Sequence, residues 1–558
     1  MDEQRMSAYL ELINQLLSCP NGKEGEILQA HRELLDPDLL QVMAQVAEQL
    51  KQQGNENNAT WLQNLAMQLA EAMGLTSNAQ PQVMETAQES RQFFIEILQC
   101  LEENQFAAEP VYQFLAAHQA KLNTDLLSAL PEAASALFAN FPKEQHLYLA
   151  AVIGDFANLI HQFPLSQRAI NIDLAIVAYQ QALQVRTREA MPVEWATSMN
   201  NLANAYADRI RGDRAQNIED AIAAYEQSLQ VRTREAMPVE WATTMMNLAT
   251  VYRNRIWGGR AQNIEDAIDT YQQSLQVMTR EVMPVEWATT MMNLAIAYSD
   301  RIRGDRAQNL EDAIAAYQQS LQVRTREAMP VEWARAMMNL AIAYSDRIRG
   351  ERAQNIEDAI TAYQQSLQVR IREAMPVEWA RSMNNLANAY AVRIRGERAQ
   401  NLEDAIAAYE QSLQVTTREA MPVEWARAMM NLATAYADRI RGDRAQNIED
   451  AIAAYQQSLQ VTTREAMPVE WATSMNNLAN AYKNRIWGER AQNLEDAIAA
   501  HQQVLQVRTR EAMPVEWAQS MNNLANAYAD RIRGERAQNL EDAIDAYQQA
   551  LQVRTREA

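Results

Sequence analysis

The chain has 558 residues, 48% of them apolar, with only 14 glycines and 15 prolines. It therefore holds ample material for a core and no long flexible or proline-rich tract. Its net charge of −21 sets the overall field against nucleic acid and anionic membrane.

Cys19 and Cys100 are too few for a disulfide framework, and neither has the spacing of a zinc site. Five scattered histidines (His31, His118, His146, His161, His501) suggest no metal cluster, so neither metal nor cofactor is expected. The start, Met1-Asp2-Glu3-Gln4-Arg5, lacks the basic run of a secretory signal. The longest apolar stretch, near residues 147–160, is broken by Gly154 and Asp155 and is too short to span a bilayer. A cytoplasmic setting is expected.

In chain order, residues 1–75 form a helical N-terminal domain, with helical apolar spacing at 6–17, 26–35, 39–53 and 59–73. A polar linker at 76–82 opens a helical connecting region, 76–141. Its expected helices are 84–103, 111–120, 124–130 and 132–138, the last two parted by Pro131. The acidic excess lies mostly in residues 1–140. Residues 142–190 read as a degenerate capping repeat. There Arg168-Ala169-Ile170-Asn171-Ile172 parallels Arg214-Ala215-Gln216-Asn217-Ile218, and Tyr179 parallels Tyr225.

Residues 191–558 are eight units of 46 residues. Met-Pro-Val-Glu-Trp-Ala starts at Met191, Met237, Met283, Met329, Met375, Met421, Met467 and Met513. A fixed period of this size means a solenoid. The first and last units differ at only six positions, so sameness between units reflects recent duplication as well as constraint. In the first unit Pro192 opens a helix whose apolar stripe is Trp195, Met199, Leu202, Ala203 and Tyr206. Gly212 ends it, and Asn217 caps a second helix carrying Ile218, Ala221, Ile222, Tyr225 and Leu229.

These residues resemble the tetratricopeptide repeat, which carries Leu-Gly/Ala-x-x-Tyr on one helix and Ala-x-x-x-Phe/Tyr-x-x-Ala/Ser on the next. Here they read Leu202-Ala203-Asn204-Ala205-Tyr206, then Ala221, Tyr225 and Ser228. The period exceeds the usual 34 residues, and Asn200-Asn201-Leu202-Ala203 is similar to the extended, kinesin-light-chain-like type. The resemblance implies an all-α, right-handed superhelical solenoid of helix-turn-helix repeats with a concave groove. Leu16-Leu17-Ser18-Cys19-Pro20, Glu33-Leu34-Leu35-Asp36 and residues 151–160 also resemble the front of cyanobacterial repeat proteins that carry a caspase-like (CHAT) protease domain. No such domain is found up to Ala558, so that resemblance implies the sensor or regulatory module of an effector system.

The first helix varies mainly on one face. Five residues before the consensus leucine stand Thr197, Thr243, Thr289, Arg335, Arg381, Arg427, Thr473 and Gln519. Two before it stand Asn200, Met246, Met292, Met338, Asn384, Met430, Asn476 and Asn522. Two after it stand Asn204, Thr250, Ile296, Ile342, Asn388, Thr434, Asn480 and Asn526. These offsets form one helical stripe. In the resembled family that stripe lines the groove. Apolar residues on an exposed face signal a contact surface. Met246, Met292, Met338, Ile296 and Ile342, with the basic row Arg335, Arg381 and Arg427, are therefore candidate peptide contacts.

The asparagine before the leucine never varies: Asn201, Asn247, Asn293, Asn339, Asn385, Asn431, Asn477 and Asn523. Its amide both donates and accepts, so a row of them matches the backbone of an extended peptide. An inter-unit hydrogen bond, or recent duplication alone, explains the row equally simply. Arg211-Gly212-Asp213 and Glu219-Asp220 read as loop and helix-start residues, and Trp195 and its repeats as core between units.

The expected function is that of a non-enzymatic protein-binding scaffold. Its partner is an extended segment, apolar with acidic neighbours, and neither nucleic acid nor membrane is involved. The alternative is self-assembly into a homo-oligomer through the last helix pair, whose apolar face lacks a following unit.

Overall fold

A computed structural model of the chain describes residues 3–18, 24–52, 58–59, 61–62, 65–66, 69 and 79–554. The chain divides into two compact bodies, Met1–Ala190 and Met191–Ala558. Among the described residues the secondary structure is entirely helical, and no helix is long and apolar enough to cross a membrane.

In the N-terminal body, helices Glu3–Ser18 and Pro37–Gln52 enclose Tyr9, Leu12, Ile13, Leu16, Leu39, Val42 and Met43. The Tyr9 hydroxyl donates to Asp36, whose carboxylate also accepts from Arg5 at 2.6 Å. The helix expected at 59–73 falls largely outside the described residues. The linker expected to reach residue 82 is helical from Ala79, within Ala79–Glu103. The break expected at Pro131 does not occur, and one helix spans Thr124–Asn140. Asn123 caps that helix at its start. Leu126, Ala129, Leu130, Ala133 and Ala134 form one buried stripe running through the proline, so packing outweighs one lost backbone bond. Helices Lys143–Gln162 and Arg168–Leu183 pair in this body, with Tyr179 donating to Asn158 at 2.6 Å.

The second body is a solenoid of eight helix pairs, each packed on the next. Leading helices run from Pro192–Asp208 to Pro514–Asp530, and trailing helices from Arg214–Leu229 to Arg536–Arg554. Proline at the first helical position loses no backbone bond and brings a helical φ. Gly212 and its seven counterparts all have φ between +79° and +83°, a region that L side chains rarely adopt.

The expected cap is corrected. Asp213, not Asn217, begins the trailing helix and accepts from the Ala215 amide at 2.7 Å. Asn217 is buried one turn later and donates to the Arg211 carbonyl at 2.9 Å, fixing the loop. Both residue types are good caps, and the turn at Gly212 decides which of them reaches the helix start.

Within a unit, Ile218, Ala221, Ile222 and Tyr225 are at most 5% exposed. Ser228 donates across to the Ala196 carbonyl at 2.7 Å. Between units, the arginine ending each leading helix grips the glutamate in the preceding trailing helix through Nε and Nη2. The first rung is Arg255–Glu219, with both bonds at 2.7 Å. Arg301–Glu265, Arg347–Glu311, Arg393–Glu357, Arg439–Glu403, Arg485–Glu449 and Arg531–Glu495 repeat it. Parallel two-point bonds make such pairs stronger and more specific in register than ordinary surface ion pairs.

The tryptophans are mostly half-buried rather than enclosed between units. Arginines of the preceding loops cover several of them, as Arg234 covers Trp241 at 5.8 Å and Arg372 covers Trp379 at 5.6 Å. The ring lies where the loop enters the unit, so one of its faces meets a cation instead of apolar atoms.

Candidate peptide-binding groove

The variable stripe of the leading helices borders a groove of about 830 Å³ lined by residues of units three to six and by Arg253 of unit two. It brings together eight of the sixteen expected contacts: Arg335, Arg381, Arg427, Ile296, Ile342, Met338, Asn339 and Asn385. Asn201, Asn247, Asn293, Asn431, Asn477, Asn523, Met246 and Met292 do not line it.

The asparagine row is neither sealed nor uniform. All eight side chains are half-buried, and what lies opposite each one sets its bonding. Asn247 donates to Asn204 at 3.2 Å, Asn431 to Asn388 at 3.1 Å and Asn523 to Asn476 at 3.2 Å. These three rungs thus tie neighbouring units together. Asn477 bonds the Tyr455 hydroxyl. Asn339 and Asn385 face a preceding unit that offers Ile296 or Ile342, where units one, five, seven and eight carry an amide and units two and six a threonine. Among the described residues, Asn293, Asn339 and Asn385 make no side-chain hydrogen bond. Isoleucine in the stripe therefore does more than add apolar surface. It removes the internal partner of the next asparagine and leaves that amide facing the groove.

The methionines are a correction. They were expected on an exposed face, but Met292 is 2% and Met338 5% exposed, both inside the inter-unit core. Each sulfur meets a buried arginine at the end of its own trailing helix, Met292 with Arg324 at 2.9 Å and Met338 with Arg370 at 2.7 Å. That arginine lies 32 residues further along the chain, so helix periodicity gives no sign of it. Met246 is half-buried.

The basic row is exposed as expected. Arg335, Arg381 and Arg427 all stand open to solvent, and among the described residues none is ion-paired with a carboxylate. Sequence reasoning missed Arg370, which lines the same groove while only 6% exposed. Burial holds its guanidinium below the usual arginine range, Glu378 opposes this, and Arg381 and Arg335 add to it. Glu378 and Glu424 are the carboxylates on the groove wall, against five arginines. The groove is thus cationic in a chain of charge −21.

At its far end the stripe loses a partner differently. His501 stands where seven units have tyrosine. Tyr225, Tyr409 and Tyr547 donate to Asn204, Asn388 and Asn526. His501 is fully buried, and neither ring nitrogen has a partner. Burial, with Lys483 and Arg508 nearby, holds its pKa down at about 4. Among the described residues no group of three or more His, Cys, Asp or Glu side chains is placed to hold a metal ion.

No curated protein matches the sequence. Among solved structures, the chain is similar to a signal-transduction ATPase with a tetratricopeptide repeat sensor from Pyrococcus horikoshii. The identity is 12% over 73% of this chain and 53% of that one, with a TM-score of 0.48, so the chain spans about half the length of that protein. It is also similar to BtubC from P. vanneervenii, 19% identical over 44% of this chain and 92% of that one, with a TM-score of 0.35. With the apo form of RapI it shares 12% identity over 74% and 97% of the two chains, with a TM-score of 0.46. The family model described as tetratricopeptide repeat matches residues 195–234, 287–326, 379–416, 471–511 and 517–556. With eight stacked helix pairs of one pattern, the chain is a tetratricopeptide repeat protein, and so belongs to a family of typically non-catalytic protein-interaction scaffolds.

Proposed function

We propose that the chain captures an extended segment of a partner protein in the groove of units three to six. Asn339 and Asn385 bond the backbone of the segment, each able to donate and accept at once. Ile296 and Ile342 take apolar side chains, and Arg335, Arg381 and Arg427 take acidic neighbours. One observation carries the reading. Rungs of the row that cross-link units elsewhere have no internal partner beside the apolar stretch, where their half-buried amides face solvent. Each net bond adds only about 0.5–1.5 kcal/mol, so several must act together.

The test is retention of a random-sequence peptide library on the immobilised chain, read by mass spectrometry. Changing Asn293, Asn339 and Asn385 together to Ala is expected to abolish retention while the helical circular dichroism spectrum stays unchanged. Unaltered retention by that variant removes the asparagines from the groove's chemistry.

A further inference from the structure

We propose that unit four holds a seat for a phosphoryl group carried by the bound segment, built by Arg335, Arg370 and Arg381. The inference rests on the groove reading above and names the chemistry of its occupant, a segment phosphorylated on serine or threonine.

In the repeat, the first residue of the variable stripe and a residue just past the trailing helix lie 35 residues apart. In units one, three and seven the second is a buried arginine. Its Nη2 donates to a threonine at the first, as in Arg232–Thr197 at 3.0 Å, Arg324–Thr289 at 2.7 Å and Arg508–Thr473 at 2.9 Å. In units five and six the pattern inverts, with Arg381 and Arg427 on the stripe above the buried Thr416 and Thr462. Unit two has no arginine at either position, only Thr243 and Met278. These six units thus keep at most one guanidinium at the junction, as repulsion between like charges in a half-buried site requires.

Unit four breaks the rule. Arg335 occupies the threonine's place beside the buried Arg370. Arg370 bonds only through Nη1, to Met338 Sδ at 2.7 Å and Ser382 Oγ at 3.2 Å. Its Nη2 lacks the hydroxyl acceptor seen in units one, three and seven, and the charge of Arg335 acts on the guanidinium. Arg381 from the next unit lines the same groove and adds its charge to theirs. The one carboxylate felt at Arg370 is Glu378, which forms no ion pair within the distance found in the outer ladder.

Three guanidinia with a single opposing carboxylate leave an excess of two positive charges. A phosphoryl group brings close to two negative charges and three acceptor oxygens, matching that excess and the planar donor forks. A carboxylate brings one charge and leaves the pair half-compensated.

The experiment uses the full chain and three peptide libraries that differ only at a central position fixed as phosphoserine, serine or glutamate. The wild type is expected to retain the phosphoserine library about tenfold or more above the serine library, with glutamate between. Arg335→Thr recreates the arginine–threonine pair of units one, three and seven, so it folds, and it is expected to retain the phosphoserine and serine libraries equally, the two being compared within that variant. Equal retention of the phosphoserine and serine libraries by the wild type overturns the phosphoryl seat and leaves the groove standing. A preference that survives in Arg335→Thr overturns it too. Failure to retain any of the three libraries overturns both the seat and the groove reading.

Discussion

Two faces of the same leading helix behave in opposite ways. The face toward the preceding unit is repeated almost without change, and every joint closes with the same two-point arginine–glutamate pair. The glutamates there are only 14–21% exposed. The face toward the groove changes unit by unit, and its hydrogen bonds change with it. A joint must fit the next copy of itself, so any departure costs stability at once. The groove wall is freer to differ where its residues stand open to solvent, as Arg335, Arg381 and Arg427 do. Periodicity marks what holds the solenoid together, and the breaks in periodicity mark where it acts.

The largest expected effect sits where a groove-side change has reached the core. His501 titrates near pH 6.5 when unfolded and at about 4 when folded. Its neutral form is the one the fold accepts, so stability is full above pH 6.5, falls as the pH drops toward 4, and levels off below. The loss amounts to about 3 kcal/mol, confined to units seven and eight, since a repeat array opens locally. Hydrogen exchange of the trailing helix Arg490–Val504 at pH 7 and at pH 5, normalised for intrinsic exchange, reads about 2 kcal/mol of it. His501→Tyr, which restores the residue of the other seven units, is expected to remove the pH dependence. Equal dependence in both proteins would place the acid-sensitive group elsewhere.

Breaking one joint comes next. Glu357→Ala leaves Arg393 without its partner at 29% side-chain exposure, at a cost of about 1–3 kcal/mol. Denaturant unfolding should show earlier opening between units four and five, with peptide retention intact below that point. The Arg393 guanidinium also holds the Glu357 carboxyl below the ordinary glutamate range. The stabilisation is therefore present above that range and lost as the pH falls beneath it. Acid should weaken the intact ladder and leave the Glu357→Ala joint as it was.

The smallest expected effect on stability belongs to the groove. Arg381→Thr removes an exposed side chain with no ion-pair partner, so the melting temperature should move by no more than about 0.5 kcal/mol of stability implies. Retention of acidic peptides should nevertheless fall. A large stability loss in this variant would show that the basic row belongs to the joints, and the contrast between the two faces would collapse.

The fold was legible because 46-residue periodicity, proline at helix starts and glycine at helix ends all agree. The groove face was legible because unit differences fall at offsets that share one side of a helix. Other features depend on what meets across units. The ladder pairs residues 36 apart in sequence, a spacing with no meaning until the pitch of the stack is known. Met292 and Met338 looked exposed because their arginine lids lie 32 residues away. The division of the asparagine row into bonded and open rungs depends on the preceding unit's side chain, which no single repeat reveals.

The most direct measurement sets two variants side by side, the triple change of Asn293, Asn339 and Asn385 to Ala against Glu357→Ala, scoring melting temperature and peptide retention for each. The account predicts a crossing: the first keeps its melting temperature and loses retention, while the second melts earlier and retains peptide as well as the wild type does. If both variants lose both properties together, these three asparagines are part of the frame, and the separation between holding and binding is wrong.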